Sequence, residues 1–180
     1  MITKEKKREV IDAALEYFKK AGIAITDDEK NNIEAADFGL GEVETTGLEI
    51  LVYVNTSRVC AKELVMLPGQ TCPEHRHPPL ADKNYPGKEE TFRCRYGKVY
   101  LFISGPAAKN PSVQPPKGTY TAFCEHVLLP GQQFTLPPDT LHWFKAGDEG
   151  AVVSEFSTPS YDEADIFTDQ NIARMPVIEE

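Results

Sequence analysis

The N-terminal part of the chain carries a helical pattern of hydrophobic positions. From residue 3 to residue 21, apolar side chains recur every three or four residues, as one buried face of a helix requires. Gly22 ends this run, as glycine commonly does just beyond a helix. Thr26 is followed three residues later by Glu29, which is the pattern of a capping box at the start of a helix. The sequence therefore predicts a long helix over residues 3–21 and a short one over residues 27–36.

From residue 47 onward the pattern changes to short apolar or alternating runs that Pro and Gly separate. Such runs are typical of β-strands. Many short strands joined by tight turns favour a sandwich or a barrel. The predicted strands are residues 48–54, 59–67, 71–77, 91–96, 98–103, 121–129, 132–136, 141–146 and 151–157.

These patterns predict a single domain, since 180 residues can bury one core without disulfides or a structural metal. We expect an N-terminal helical segment over residues 1–46, a barrel over residues 47–157 and a C-terminal tail over residues 158–180. Residues 78–88 and 105–118 are rich in Pro, Gly and Lys. They are predicted to be long loops, which often carry function.

Composition and charge narrow the possible partners. Hydrophobic residues make up 41% of the chain and charged residues 26%, as in ordinary globular proteins, and no apolar run reaches the roughly 20 residues of a membrane helix. The formal net charge of −9 disfavours a nucleic-acid surface, which needs clustered Lys and Arg. The basic start leads into an amphipathic stretch instead of a signal-peptide core, and the four cysteines form no C-x-x-C pair. We therefore expect a cytoplasmic protein with reduced thiols that binds a small molecule, and neither nucleic acid nor a membrane.

The candidate chemistry begins with two histidines. His75 and His77 lie two residues apart, so on a strand they project from the same face and can share a metal ion. Such a pair alone is weak evidence. Further glycines, a glutamate and a third histidine accompany it. The full pattern is Gly69-x5-His75-x-His77, Glu90-x6-Gly97 and Gly131-x5-Pro137-x4-His142.

This pattern resembles the two-part cupin signature, in which three histidines and one glutamate bind a metal inside a small barrel. The resemblance implies a mainly β fold, a single cupin barrel of the double-stranded β-helix or jelly-roll type, with N-terminal helices added. It also implies a ligand set. The implied metal ligands are His75, His77, Glu90 and His142.

The sequence departs from the common cupin pattern in two places. Twelve residues instead of three or four separate the histidine pair from Glu90, and Asp139 stands where the second motif usually has Gly. Glu74 and Glu89 therefore compete with Glu90 as the carboxylate ligand. Glu90 is favoured because it alone keeps the six-residue spacing to Gly97.

Three imidazoles and one carboxylate suit a first-row divalent ion such as Mn²⁺, Fe²⁺, Co²⁺, Ni²⁺ or Zn²⁺, whereas Ca²⁺ or Mg²⁺ prefers mostly oxygen ligands. An ion that prefers six ligands would keep two open positions in such a site. Open positions are typical of a catalytic site, because a structural zinc site is closed. We expect one divalent ion per chain.

Two further side chains are predicted to face the metal. If Pro68 and Gly69 form a two-residue hairpin turn, Lys62 lies opposite His75. A second hairpin around residues 148 and 149 would likewise place Glu155 opposite His142. Lys62 and Glu155 would then reach the metal from neighbouring strands, and a bulge in either hairpin would change this register.

Beyond the general cupin pattern, the chain resembles the small bacterial D-lyxose isomerases. That family interconverts aldoses and ketoses, D-lyxose and D-xylulose being preferred over D-mannose and D-fructose, usually with manganese. The resemblance implies that Lys62 and Glu155 lie beside the metal, that Asp165 contacts the sugar, and that the chain is a homodimer. The matching segments are residues 51–56, 62–65, 68–78, 90–97, 137–144 and 165–169.

The reaction is consistent with these residues. Isomerisation removes the C2 proton and returns it to C1, and Glu155 is our hypothesis for the base, with Lys62 as the cation beside the enediolate. A hydride shift is the competing mechanism.

Three other functions remain open: a cupin dioxygenase, a sugar-binding module without turnover, and a phosphosugar isomerase. The phosphosugar isomerase would need a phosphate pocket, for which Arg76, Arg93 and Arg95 are candidates.

Overall fold

The computed structural model describes residues 2–174 and 178–179. Residues 175–177 and 180 of the predicted tail lie outside the described residues. Two α-helices, two short 3₁₀ turns and eleven strands are present in the described part of the chain. They are β1 (Ile2–Thr3), α1 (Lys4–Lys20), α2 (Asp27–Asn31), β2 (Glu34–Ala36), β3 (Leu48–Asn55), β4 (Cys60–Met66), β5 (Thr71–Arg76), the turn Ala81–Lys83, β6 (Glu90–Ile103), β7 (Cys124–Leu128), β8 (Gln133–Leu136), β9 (His142–Ser157), the turn Asp162–Ala164, β10 (Ile166–Phe167) and β11 (Ile178–Glu179).

The first predicted helix forms as α1. The Thr3 side chain caps it by accepting a hydrogen bond from the Lys6 backbone N–H, and Gly22 follows its end with a φ of 70°. Its apolar side packs on the outer face of the sheet, against buried residues such as Leu51 and Val152. This stripe is what the three-to-four-residue spacing predicted. None of the helices in the described part of the chain is long and apolar enough to span a membrane.

The second predicted helix is shorter than expected. Thr26 and Glu29 form the predicted capping box, but α2 ends at Asn31, and the residues of β2 pair with β3 as an edge strand. The prediction of a helix over residues 27–36 was therefore wrong in its second half. Pairing with β3 and burial of Ile33 and Ala35 outweigh a weak local helix propensity.

Two long strands, β6 and β9, join two layers of sheet. One layer contains β2, β3, β4, the second half of β9, the first half of β6, and β8; the other contains β10, β5, the first half of β9, the second half of β6, and β7. The predicted mainly β fold is confirmed. Residues predicted as four strands, 91–96, 98–103, 141–146 and 151–157, form only these two.

The predicted hairpin around residues 148 and 149 was wrong. Instead of folding back on itself, β9 continues and pairs along its length with β6. The two strands approach so closely at the corner that a Cβ on Gly97 would lie 2.0 Å from the Gly150 carbonyl oxygen. Gly97 also has a φ of 69°. Both the close approach of the strands and this backbone conformation therefore require glycine at position 97.

The main hydrophobic core fills the space between the two layers. It is built from the inward side chains of alternating strand positions, as packed sheets require. Both the predicted N-terminal helical segment and the predicted tail contribute a strand to this sheet, because β2 and β10 pair with its edges. The largest side chains of the core are Phe38, Leu64, Met66, Phe92, Leu101, Leu136 and Phe144.

We predict that replacing Glu49 with Gln raises stability at alkaline pH. Burial raises the pKa of Glu49 from 4.5 to about 8, and Gln70 donates a hydrogen bond to one of its oxygens. The folded state therefore keeps a proton that the unfolded state loses between pH 4.5 and about 8, so wild-type stability falls across this window. Glu49→Gln should match the wild-type Tm near pH 5 and exceed it by about 3 °C or more at pH 9. Differential scanning calorimetry checks this, with the exposed Glu42→Gln as control; a pH-independent difference would contradict it.

Candidate metal centre and active site

Three buried imidazoles meet at one end of the barrel. His75 lies in β5 and pairs with His142, the first residue of β9, while His77 follows β5 directly. The register between β5 and β9 shifts between Cys72 and His75, where Pro73 lacks the N–H that a regular ladder would need. The three histidines offer ligand atoms that all lie within 4.8 Å of one another.

Each imidazole is oriented through its Nδ1 atom. His75 Nδ1 lies 2.8 Å from the Pro73 carbonyl oxygen, His142 Nδ1 lies 2.9 Å from the Thr140 carbonyl oxygen, and His77 Nδ1 is hydrogen-bonded to the Asp165 carboxylate. A carbonyl or carboxylate oxygen only accepts, so Nδ1 carries the proton in each ring. In the neutral form of each ring Nε2 is then the unprotonated atom, which is the arrangement that metal-ligating histidines adopt.

Glu90, the first residue of β6, completes the cluster. Its Oε1 lies 3.2 Å from His142 Nε2 and 3.4 Å from His77 Nε2. Glu74 instead accepts hydrogen bonds from the Thr121 and Ala122 backbone and does not point at the imidazoles. Glu89 is exposed. The geometry therefore favours Glu90 over the two competing carboxylates.

The donor set fits a divalent metal ion. Among the described residues, His77 Nε2, His142 Nε2 and Glu90 Oε2 are buried without a hydrogen-bond partner, and buried polar atoms of that kind need an explanation. Lys88 Nζ lies 2.9 Å from Glu90 Oε2, but as an ion pair without hydrogen-bond geometry. An ion at the centre of the cluster would satisfy the orphaned atoms.

The electrostatics of the cluster also favour a cation. Burial and the neighbouring imidazoles hold the pKa of His75 well below its usual range. Burial opposes a charge on His77 too, but Glu90 and Asp165 outweigh it and raise the pKa of His77 to about 9. Burial likewise opposes ionisation of Glu90, yet Lys88 and His77 hold the pKa of that carboxyl well below its usual range. Positive charge is thus stabilised at the point where Glu90 meets His77.

Asp165, which is predicted to contact the sugar, lies against the histidine cluster. Its carboxylate is buried and hydrogen-bonded to His77 Nδ1, beside Phe167, which pairs with His75 through β10. The C-terminal tail therefore contacts the histidine cluster through the bond from Asp165 to His77 and the pairing of Phe167 with His75. Asp165 also lines the cavity beside the cluster, and the bond to His77 is the one hydrogen bond that its carboxylate makes to a described residue.

Lys62 and Glu155 do meet inside the barrel, although not by the predicted route. The pairings of Lys62 with His75 and of Glu155 with His142 were both wrong, because β4 pairs with the second half of β9 and not with β5. Lys62 lies directly opposite Glu155 in that pairing. Both side chains are buried and line the cavity that contains the histidines.

An irregularity in β9 lets His142 join the histidine cluster while Glu155 lines the cavity beside that cluster. Glu155 follows His142 by an odd number of positions, so a regular strand would direct the two side chains to opposite faces. Between the pairs Gly97 with Ala151 and Val99 with Ala146, β6 advances two residues while β9 advances five. The additional residues of β9 lie within positions 147–150, and they change which face of the sheet the following side chains point to.

The sequence did not reveal the role of Lys88. Its ammonium is buried between two carboxylates, 2.9 Å from Glu90 Oε2 and 2.5 Å from Glu155 Oε1. Burial opposes its charge, but Glu155 and Glu90 raise the pKa of Lys88 well above its usual range. The one available signal was its position in the Gly-Lys-Glu-Glu run that ends a long loop. Gly87 is needed there because a Cβ would lie 2.8 Å from the His77 carbonyl oxygen.

A second charged group borders the cavity on the side of the tail. Lys62 Nζ donates to both carboxylate oxygens of Asp162 and to Ser160 Oγ, each at 2.9 Å. Arg174 Nη2 donates to Asp162 at 3.0 Å, and its Nη1 lies 2.5 Å from Glu34 in β2. The rest of the wall is apolar. Its side chains are Phe38, Leu48, Ile50, Leu64, Phe92, Phe144 and Phe167.

The three arginines considered for a phosphate pocket do not form one. Arg76 is paired with Asp139 at 2.5 Å. Arg93 donates a hydrogen bond to the exposed Gln133. Arg95 donates one to the Ser154 hydroxyl, which in turn donates to Glu63. Neither arginine lines the cavity.

Asp139 has a φ of 59°, a left-handed conformation that Asp tolerates, which explains why it can replace the usual glycine of the second cupin motif.

Comparison with known proteins gives close relatives. The chain is 61% identical to a D-lyxose/D-mannose isomerase of Thermosediminibacter oceani over 183 aligned positions that cover all of both chains. It is 59% identical to a D-lyxose ketol-isomerase of Thermofilum sp., covering 99% of each. No family model matches the chain.

Among solved structures, an L-ribose isomerase of Cellulomonas parahominis with L-ribose is similar, with a TM-score of 0.75, 18% identity and 98% of each chain covered. At that level of identity the likeness concerns the fold alone. The predicted cupin barrel is confirmed by it.

We predict that Asp165→Asn weakens metal binding. The neutral amide accepts a weaker hydrogen bond from Nδ1 than the carboxylate does and lacks its charge, and changing such an outer partner typically lowers metal affinity about 10- to 100-fold. Competition with a coloured chelator, using Mn²⁺ and the metal-stripped protein, measures the dissociation constant. Asp169→Asn is the matched control, because it makes the same change in the tail at a half-buried residue that accepts a hydrogen bond from Thr119 and does not line the cavity of the histidines. Equal affinities for both variants and the wild type would contradict the assigned role.

Proposed function

Because the chain belongs to the D-lyxose isomerase family, we propose that it interconverts D-lyxose with D-xylulose, and D-mannose with D-fructose more slowly. The family makes it an aldose–ketose isomerase; the choice of sugars, the metal and the mechanism are the proposal. One observation carries it. Three buried imidazoles and Glu90 converge at the cavity that also holds the Glu155 and Lys88 pair, with Nε2 of His77 and of His142 unpartnered among the described residues.

The proposed metal ligands are His75, His77, Glu90 and His142. We propose Mn²⁺, and the same nitrogen and oxygen donors also suit Co²⁺, Fe²⁺, Ni²⁺ or Zn²⁺. When bound, a divalent ion polarises the sugar carbonyl and stabilises the negative charge of an enediolate. Asp165 supports this set by orienting His77, which we propose in place of direct contact with the sugar.

Glu155 is the proposed base. Its carboxylate would take the proton from C2 of the open-chain aldose and return it to C1. Both contacts that it makes among the described residues, with Lys88 and with Ser157, fall on Oε1, so Oε2 is the oxygen available to the substrate. The ion pair with the Lys88 ammonium fixes the position of the carboxylate inside the cavity.

Lys62 is proposed to act through its charge. Its ammonium is held by Asp162 and Ser160, and although burial opposes the charge, Glu155 and Asp162 raise the pKa of Lys62. A fixed cation beside Glu155 would stabilise negative charge on the substrate oxygens without moving during the reaction. Lys88 shares this role from the other side of Glu155.

The cavity supports a neutral sugar better than a phosphosugar. A phosphate needs cations that are free to bind it. The cations lining the cavity in the described part of the chain are Lys62, Lys88 and Arg174, and each is already paired with one or more carboxylates. A base paired with a cation also favours turnover over mere sugar binding.

We also propose that the protein is a cytoplasmic homodimer. The outer face of β3 and β9 exposes Val54 and Phe156, which flank Ala61 in neighbouring strands, and an exposed apolar patch often marks a contact surface. Sedimentation velocity should give twice the mass of one chain, and a monomer at micromolar concentration would exclude this interface.

The purified protein should convert D-lyxose to D-xylulose only when metal is present. Chelation should remove activity, since the open coordination positions are lost, and added Mn²⁺ should restore it. D-Mannose measured alongside should give the lower kcat/KM. Conversion of D-lyxose by the fully chelated protein would contradict the metal assignment, and no conversion with any of the five metals would contradict the proposed function.

Glu155→Gln should lower kcat about 10²- to 10⁴-fold with little change in KM, because general-base catalysis contributes about that much. Glu63→Gln is the matched control, since Glu63 is a buried carboxylate on the partner strand that bonds Ser154 and does not line the cavity. Its kinetics should match those of the wild type.

The wild-type reaction in heavy water should place solvent deuterium on the product. Glu155 exchanges its proton with solvent, whereas a hydride shift keeps the original hydrogen on carbon. Product free of deuterium at every stage of the reaction would favour the hydride shift.

A further inference from the structure

One wall of the cavity carries a row of alternating charges that begins at the metal centre. Glu90 is paired with Lys88, and Lys88 with Glu155. Lys62 lies opposite Glu155 in the neighbouring strand. The row continues through the tail and ends at β2. Its outer members are Asp162, Arg174 and Glu34.

Asp162 and Arg174 are the outermost members of this row that still line the cavity. Both line the same cavity as the histidines, whereas Glu34 does not. The Asp162 side chain is 26% exposed and that of Arg174 is 11% exposed, so part of the pair remains accessible. Together they offer carboxylate acceptors and guanidinium donors at one point.

The pair is not required merely to attach the tail. Asn55 donates a hydrogen bond to the Ser160 carbonyl oxygen, and Tyr85 donates one to the Pro159 carbonyl oxygen. Thr168 donates to Glu74 farther along the tail. These bonds fix the tail outside the cavity, whereas charged groups facing an apolar cavity are costly unless they are used.

We propose that Asp162 and Arg174 bind the terminal hydroxyl, O5, of the open-chain pentose and so determine specificity for chain length. The proposal rests on the proposed function. A sugar held with C1 and C2 at the metal and beside Glu155 presents O5 at its far end, and the far end of the charged row is this pair. A hydroxyl both donates and accepts, so it can bond the carboxylate and the guanidinium together.

The same placement separates pentoses from hexoses. In a hexose the atom that meets the pair is a secondary hydroxyl, and one more carbon must extend past Arg174 towards Glu34. That carbon adds bulk where two charged side chains are already paired at 3.0 Å. The site would therefore prefer five carbons without rejecting six.

The test compares D-lyxose with 5-deoxy-D-lyxose, which lacks only O5, in the metal-loaded enzyme. In the wild type, kcat/KM should fall about 10- to 100-fold for the deoxy sugar, as expected for a hydrogen bond to charged groups. In Asp162→Asn and in Arg174→Lys that penalty should shrink to about threefold or less. The ring equilibrium of each sugar is the same for every variant, so it cancels when variants are compared.

Glu34→Gln is the matched control, because it removes the outer partner of Arg174 without changing the lining of the cavity. It should lower Tm yet keep the wild-type penalty. If Asp162→Asn and Arg174→Lys keep a penalty as large as that of the wild type, the inference is overturned. Turnover of D-lyxose by the wild type would still support the proposed function in that case. A wild type inactive on D-lyxose would instead reject the function. If Asp162→Asn does not fold, Arg174→Lys alone decides.

Discussion

The buried carboxylate of Glu90 is the charge on which the rest of the site depends. A lone carboxylate inside an apolar barrel would be too costly to remain ionised, and Glu90 is buried together with the imidazoles that surround it. Lys88 compensates it, but a buried ammonium needs more than one partner, and Glu155 supplies the second. Each charge brought inside requires the next, so Glu155, the proposed base, is also part of the electrostatic balance of the fold.

The two long strands explain how these groups reach one point. Because β6 and β9 run through both layers, β9 can contribute His142 to the histidine cluster and Glu155 to the opposite layer. The short strands on either side then supply His75 and Lys62. The C-terminal tail completes the site, because Asp165 is hydrogen-bonded to His77. Helix α1 contributes only by covering the outer face of the sheet.

The sequence predicted the parts of the site that depend on local spacing. The His75 and His77 pair needs only strand geometry, and the capping box at Thr26 needs only four residues. Lys62 and Glu155 were placed together through two hairpins that do not exist, because a glycine-containing turn in a continuous strand looks the same as a hairpin turn. Lys88, Asp162 and Arg174 were missed because an isolated charged residue in a loop or tail is ordinarily exposed. Their partners lie far away in sequence, and no periodicity encodes them.

The irregular corner of β9 at residues 147–150 has a consequence for how this enzyme can change over evolutionary time. Since His142 and Glu155 share one strand, the number of residues between them sets which way Glu155 points, and a single inserted or deleted residue would turn it outward. Substitutions can accumulate at the exposed Asp148 and Glu149, and the loop over residues 105–118 can change in length, because neither alters that count. The spacing from His142 to Glu155 should therefore be kept in every active descendant, even where the residues between them differ.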